Sequence, residues 1–314
     1  MPAWVGYAGG EGVTKVTNIL FSKLLSSLHG SPSVLWVSLS IGLVQGLGGL
    51  IGALKKKEPL VPTFRAVLGS IVFGFSAFGM TILTLYALTF KDADVGVTTF
   101  IATLTVVPGI FVDRIFFGNH LIFRQWVGIA VFFLAGYAML NFPPLHYFLT
   151  LPPWVLLSLA AALLGGLNEG ITRALSRVAY PFANNFWIGS TTFFCSLIGI
   201  ALIGAWQGAE LFRSALWYIP FVMGCVTLTM ISFKLLAYKN GGTIALAKIV
   251  MFGTYLIGAV LFGVLFFGEP LTLGKIIGII GFFVAYSLAD PSILNGGRRF
   301  LSLRGKSHDA TLSS

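Results

Sequence analysis

Two short segments carry acids and bases at one spacing. Glu11-Gly12-Val13-Thr14-Lys15 and Glu169-Gly170-Ile171-Thr172-Arg173 repeat the order acid, glycine, aliphatic, threonine, base, 158 residues apart. Four residues is about one helical turn, so each acid shares a helix face with its base, and the acid on the N-terminal side is the favourable arrangement. Such groups are scarce here: 10% of the chain is charged and 56% is hydrophobic. An ionised group inside an apolar span costs at least ~2.5 kcal/mol on the mildest scale. Two chemistries fit the pattern. The motifs are intrahelical ion pairs whose glycines let helices approach closely, or they form a charged pocket wall that holds solute or carries a coupling proton.

Lys248 is the other isolated charge, in "GGTIALAKIVMFGTYL". Tyr255 follows it by seven residues, as Thr105 follows Thr98. Seven residues is about two turns, so each pair lies on one face. Lys248 either faces a cavity or snorkels to the membrane edge. Asn184 and Asn185 read as helix caps first and as cavity polars second, and Gln45 as a neighbour's partner or a cavity polar. The four histidines, 29, 120, 146 and 308, fall in connections or the tail without metal-ligand spacing. No Gly-Lys-Ser nucleotide loop occurs, so no cofactor, no metal and no enzymatic role is expected. Cys195 and Cys225 read as small packing residues.

The elements that must position these groups are apolar runs. They bracket at 4–26, 34–54, 64–88, 95–117, 122–141, 154–177, 183–206, 215–238, 243–267 and 273–291. Each is near the roughly 20 residues that cross a bilayer as a helix. The expected fold class is therefore an all-α, polytopic membrane protein of ten transmembrane helices. The first run, with Glu11, Lys15, Asn18 and Lys23, is the weakest, and on hydropathy alone it also fits an interfacial helix. A net charge of +10 raises the question of nucleic acid. The bases sit at the ends of apolar runs, however, and read as topology signals. With both termini inside, fourteen bases, Lys234 among them, fall on the cytoplasmic side and four outside, namely Lys23, Lys91, Arg213 and Lys275. All seven tryptophans lie near run ends, where an interfacial belt puts them. The first residues lack a basic n-region, so no cleaved signal is expected. The expected location is the inner (plasma) membrane of a bacterium or archaeon.

The two halves repeat. "FFGNHLIFRQWVGIAVFFLA" (116–135) and "FFGEPLTLGKIIGIIGFFVA" (266–285) match at an offset of 150, including Gly128 with Gly278 and Phe132 with Phe282. Upstream, Arg65 matches Arg213 and Phe73 matches Phe221 at an offset of 148. The order is kept, as duplication of one unit requires. The units are 1–145 and 146–291, with a polar tail at 292–314. Five helices per unit is an odd number, so the second unit enters the membrane inverted, an arrangement typical of secondary transporters.

On these residues the chain resembles the drug/metabolite transporter superfamily in its EamA-like ten-helix form. Gly268-Glu269 and Gly278 fit the small-Glu step that ends that family's fourth helix and the glycine in its fifth. In the first unit Pro108, Gly118 and Gly128 fit, with Asn119 where the family has Glu; in the second, Gly258 stands where Pro is expected. The resemblance implies that helices four and nine line a central cavity, where Lys248, Tyr255, Thr98 and Thr105 would converge. The expected function is a secondary transporter of a small organic metabolite by alternating access. Its candidate binding or coupling residues are Lys248, Glu11, Glu169, Lys15, Arg173, Thr98, Thr105 and Tyr255. An anion would suit Lys248 and a cation the glutamates. The expected partners are a small-molecule solute, the lipid bilayer and a proton or other coupling ion, with no nucleic acid, and the chain acting as monomer or homodimer. The alternative is a non-transporting membrane assembly or lipid-headgroup-handling protein with the same fold.

Overall fold

The computed structural model describes residues 3–29, 33–105, 108, 123–142, 151–176, 178–240 and 244–289; the side chains of 26–29, 125, 173, 244–249, 286 and 289 lie outside that description. The described residues form ten α-helices and one 3₁₀ segment, with no strand among them. In chain order they are α1 (Ala3–His29), α2 (Val34–Lys56), α3 (Phe64–Ala87), α4 (Val95–Thr103), α5 (Phe123–Met139), α6 (Pro153–Leu175), α7 (Pro181–Ile203), the 3₁₀ segment (Ala205–Arg213), α8 (Ile219–Lys239), α9 (Ile244–Phe267) and α10 (Leu273–Ala289). Local chemistry sets several boundaries. Thr63 Oγ1 accepts from the Ala66 N–H and starts α3, and Asp94 Oδ1 accepts from the Val97 N–H and starts α4. Pro153 and Pro181 occupy first turns, where a missing N–H is harmless. Gly204, at φ +64, ends α7 in a left-handed cap.

Six helices, α2, α3, α6, α7, α8 and α9, are long and apolar enough to cross a membrane, so the chain is a multi-pass membrane protein. The outer surface agrees with this. Phe64, Leu202 and Leu265 are each at least three-quarters exposed, whereas Glu11, Lys234 and Lys275 are buried. Charge inside and hydrocarbon outside is the distribution a lipid solvent favours. Arg65 is exposed in the first turn of α3, and Arg213 is exposed at the end of the 3₁₀ segment, before α8.

The helices of the two halves interleave. The main partners of α1 are α8 and α9; of α2, α7 and α8; of α3, α6 and α7; of α4, α9 and α6; and of α5, α10. Each helix of the first half thus packs mainly on the second. Adding five to every helix number leaves these principal pairings unchanged, counting cyclically. Relative direction is read from glycine approaches. Gly42 faces Phe193, Gly46 faces Ser190 and Gly49 faces Phe186, so α2 and α7 run antiparallel. Gly274 faces Ala138 and Gly281 faces Ala135, so α10 and α5 are antiparallel too. At the α2–α7 seam a Cβ on Gly42 would stand 2.5 Å from the Phe193 backbone nitrogen, so only glycine permits this approach.

Buried polar groups tie the seam together. Gln45 Nε2 donates to Asn185 Oδ1 at 2.9 Å, Asn185 Nδ2 donates to Ser232 Oγ at 3.1 Å, and Ser70 Oγ donates to Asn184 Oδ1 at 2.7 Å. The two asparagines therefore join helices instead of capping α7, contrary to the reading from sequence. The first amides of α7, on Phe182 and Ala183, donate to Glu58 Oε2, which satisfies groups that a cap would otherwise serve. Cys195 and Cys225 are free thiols on different helices.

Candidate functional site

A central cavity of about 190 Å³ lies between the halves. Its wall is mostly apolar, with Phe73, Met80, Ile188, Met223 and Phe252 prominent. The polar groups stand out against that background. α1 contributes Glu11, Lys15 and Asn18, α6 contributes Asn168 and Glu169, and α8 contributes Thr227 and Lys234. Thr105 and Tyr255 also reach the wall.

The Glu11–Lys15 pair forms as the spacing predicts, with Lys15 Nζ 3.4 Å from Glu11 Oε1. The ammonium also lies 4.9 Å from the centre of the Phe252 ring and 3.5 Å from Met251 Sδ on α9. Gly12 makes this approach possible, because a Cβ there would stand 2.7 Å from Met251 O. Gly258 does the same further along, with Val16 against it. Close packing of α1 on α9 is thus the reason for glycine at the position where the resemblance expects proline.

Glu169 has a partner that its own helix does not supply. Lys234 Nζ, from α8, lies 2.7 Å from Glu169 Oε1, and Tyr238 Oη lies 3.4 Å from Oε2. Both side chains of the ion pair are nearly excluded from solvent. The Arg173 side chain is outside the described residues, so the expected Glu169–Arg173 pair is not among the described contacts. Lys234 corrects the charge count: it is an internal group of the cavity and not a cytoplasmic flank. Lys23 and Lys275, counted as outer-side bases, are buried as well. Removing Lys234 from the fourteen bases expected on one side and Lys23 and Lys275 from the four expected on the other leaves that asymmetry stronger.

The cavity gathers Glu11, Lys15, Glu169, Thr105 and Tyr255 from the expected set. Thr98 is buried within α4 and does not line it, so the expected convergence of Thr98 there is not what forms. Thr98 belongs to the first turn of α4, two turns from the wall residue Thr105. The Lys248 side chain lies outside the described residues. Sequence reading missed Lys234, Asn18 and Asn168 as wall residues. Asn18 Nδ2 donates to Thr227 Oγ1 at 2.9 Å, and its Oδ1 is left open.

A second charged cluster sits where the α9–α10 turn meets α4. Lys275 Nζ lies 2.6 Å from Asp94 Oδ2 and 3.4 Å from Glu269 Oε2. Glu269 Oε1 accepts from the Val95 N–H at 2.6 Å, at the positive end of α4. Gly268, at φ +65, turns the chain so that Glu269 can reach it. The Lys23 ammonium donates to the Ala93 carbonyl beside this cluster, and Trp154 Nε1 donates to Asp92 Oδ2 at 3.1 Å. Burial, and next the neighbouring Asp94, hold the Glu269 carboxyl above its ordinary range, against the opposing pull of the Val95 N–H and Lys275. Among the described residues no group of three metal-ligating side chains occurs.

No protein-family model matches the chain, and no curated protein matches it. Solved structures do match. One crystal structure superposes with a TM-score of 0.60 over 89% of this chain and 96% of its own, at 16% sequence identity. Identity that low speaks to the fold alone.

Proposed function

We propose that this chain is a secondary transporter, moving a small organic solute by alternating access between two inverted five-helix units, as its resemblance to EamA-like drug/metabolite transporters implies. The observation that carries the reading is the central cavity, walled by both halves, with matched acids, Glu11 and Glu169, on its surface. Inversion is supported by the antiparallel crossings of α2 with α7 and of α5 with α10, which are helices at equal places in the two units. The pairing pattern, unchanged by a shift of five helices, supports the same duplication.

Ten spans follow when α1, the apolar run 95–117 in whose first part α4 lies, α5 and α10 join the six apolar helices. α1 has 27 residues, about 40 Å at the usual rise, and so is long enough to cross. Its charges do not face lipid: Glu11 and Lys23 are buried against other helices. That supports a span over a helix lying along the interface. Both termini are then cytoplasmic. Mid-membrane binding at a repeat interface is how inverted-repeat transporters expose one site to each side in turn.

The deciding experiment is uptake into proteoliposomes preloaded with a metabolite mixture. Accumulation or exchange should exceed that of protein-free vesicles for at least one solute, and should fall for Glu169→Gln. Equal flux in protein-free and protein-bearing vesicles across the mixture would overturn transport.

A further inference from the structure

The described charges of the cavity partner one another: Glu11 with Lys15, Glu169 with Lys234. The largest open hydrogen-bonding capacity is neutral. Asn168 is 3% exposed, lines the cavity, and has no partner for either Nδ2 or Oδ1. A buried carboxamide left open on both sides is costly to keep, since each of its groups has given up water.

The duplicated motif does not require it. At the offset of the Glu11 and Glu169 motifs, Asn168 corresponds to Gly10. Gly10 is itself filled against: a Cβ there would meet the Phe233 ring at 2.7 Å. Thr14 and Thr172 behave alike in both units, each returning its hydroxyl to the carbonyl four residues earlier. The framework of the motif is thus shared, and the amide is an addition on one side of the cavity.

We propose that Asn168 is a substrate-contact residue and that the site selects a neutral solute with a donor and an acceptor side by side, of the carboxamide class. This rests on the transport reading for its physiological sense, but binding itself can be measured apart from flux. One edge of the Asn168 carboxamide offers a donor and an acceptor side by side in a plane. A solute carboxamide answers both with two parallel hydrogen bonds and brings no charge to a cavity whose ion pairs are made. A carboxylate would answer Nδ2 but would oppose Oδ1 and the adjacent Glu169. An ammonium would answer Oδ1 and leave Nδ2 open. The apolar remainder of such a solute has Phe73, Met80 and Ile188 on the same wall.

Benzamide, benzoate and benzylamine share a ring and differ in this one group. Binding of each to the purified protein in nanodiscs, by calorimetry and by thermal shift, tests the assignment. Benzamide should bind at least tenfold more tightly than the other two. Asn168→Leu and Asn168→Ala should each weaken benzamide at least tenfold. Asn168→Leu should also melt above the parent, because it removes open polar groups while keeping the same branching and the same number of heavy atoms. Equal binding of the three compounds, binding of none, or benzamide affinity unchanged in both variants would overturn the proposal. A lower melting temperature for Asn168→Leu would make the residue structural and overturn it too. Benzamide binding without any proteoliposome flux would instead count against transport.

Discussion

Phe132 and Phe282, which occupy matched positions in the two units, touch each other, with ring centroids 5.6 Å apart. In the proposed inverted-repeat arrangement, a residue in contact with its own counterpart lies beside the axis relating the halves. Both are buried, and Phe100 joins them in an aromatic cluster. Truncating either to Ala should cost about 3–5 kcal/mol. The double change should cost less than the sum, because each single change already removes the shared contact. Thermal unfolding of the four proteins in one detergent measures this, and strict additivity would remove the axis contact.

The ion pair between α8 and α6 gives a second cycle. Glu169→Gln or Lys234→Gln alone leaves a charge without its buried partner, a loss of about 3–5 kcal/mol. The double Gln variant should recover most of that stability. Uptake should stay low in the double variant if Glu169 also meets solute or proton. Recovery of uptake together with stability would make the pair purely structural.

The glycine seam predicts a contrast within one residue type. Gly189→Ala drives a methyl into the Gly46 backbone and should destabilise by about 1–3 kcal/mol. Gly6→Ala meets nothing within 4 Å on an exposed face of α1. It should instead stabilise by up to about 1 kcal/mol through helix propensity. Melting temperatures of the two variants should move in opposite directions.

The Glu269 cluster predicts a pH dependence. The folded carboxyl holds its proton to higher pH than the unfolded chain, for which the ordinary value is 4.5. Its contribution is therefore complete below the unfolded value and is lost as pH rises through the folded one. The facing groups are Asp94 and Lys275, with Lys23 and Asp92 near by. Glu269→Gln keeps a neutral side chain at every pH. The melting temperature of the parent, relative to that variant, should fall from about pH 4 to about pH 7. A relative rise would mean that Lys275 and the α4 amides dominate the site.

The helices were legible because each is an apolar run that ends at charges, prolines or glycines; the expected 34–54 is α2 and the expected 243–267 is α9, within two residues. Glu11–Lys15 was legible because one helix supplies both partners. Lys234 was not. It lies about one turn from the end of α8, where a snorkelling lysine and an inward one look the same in sequence. What separates them is the packing of α8 against α6, a relation between residues 65 apart. Asn168 was passed over because it adjoins Glu169, and only the fold shows its amide without a partner. Periodicity put Thr98 on one face with Thr105 and the resemblance put that face in the cavity, but a face defined on one helix does not say which turn of it reaches the wall.

Interleaving also bears on how the molecule is made. A ribosome releases α1 to α5 first, yet the principal neighbours of all five come from the chain still to be synthesised. If α1 spans as proposed, Glu11 and Lys23 enter the membrane before the surfaces that enclose them exist. The nascent first unit is therefore a client in need of shelter, from an insertase or from residual water. Severing the chain near residue 145 should yield two fragments that are degraded when produced alone and rescued when produced together. On the proposed duplication, the repeated unit is thus smaller than the unit of folding.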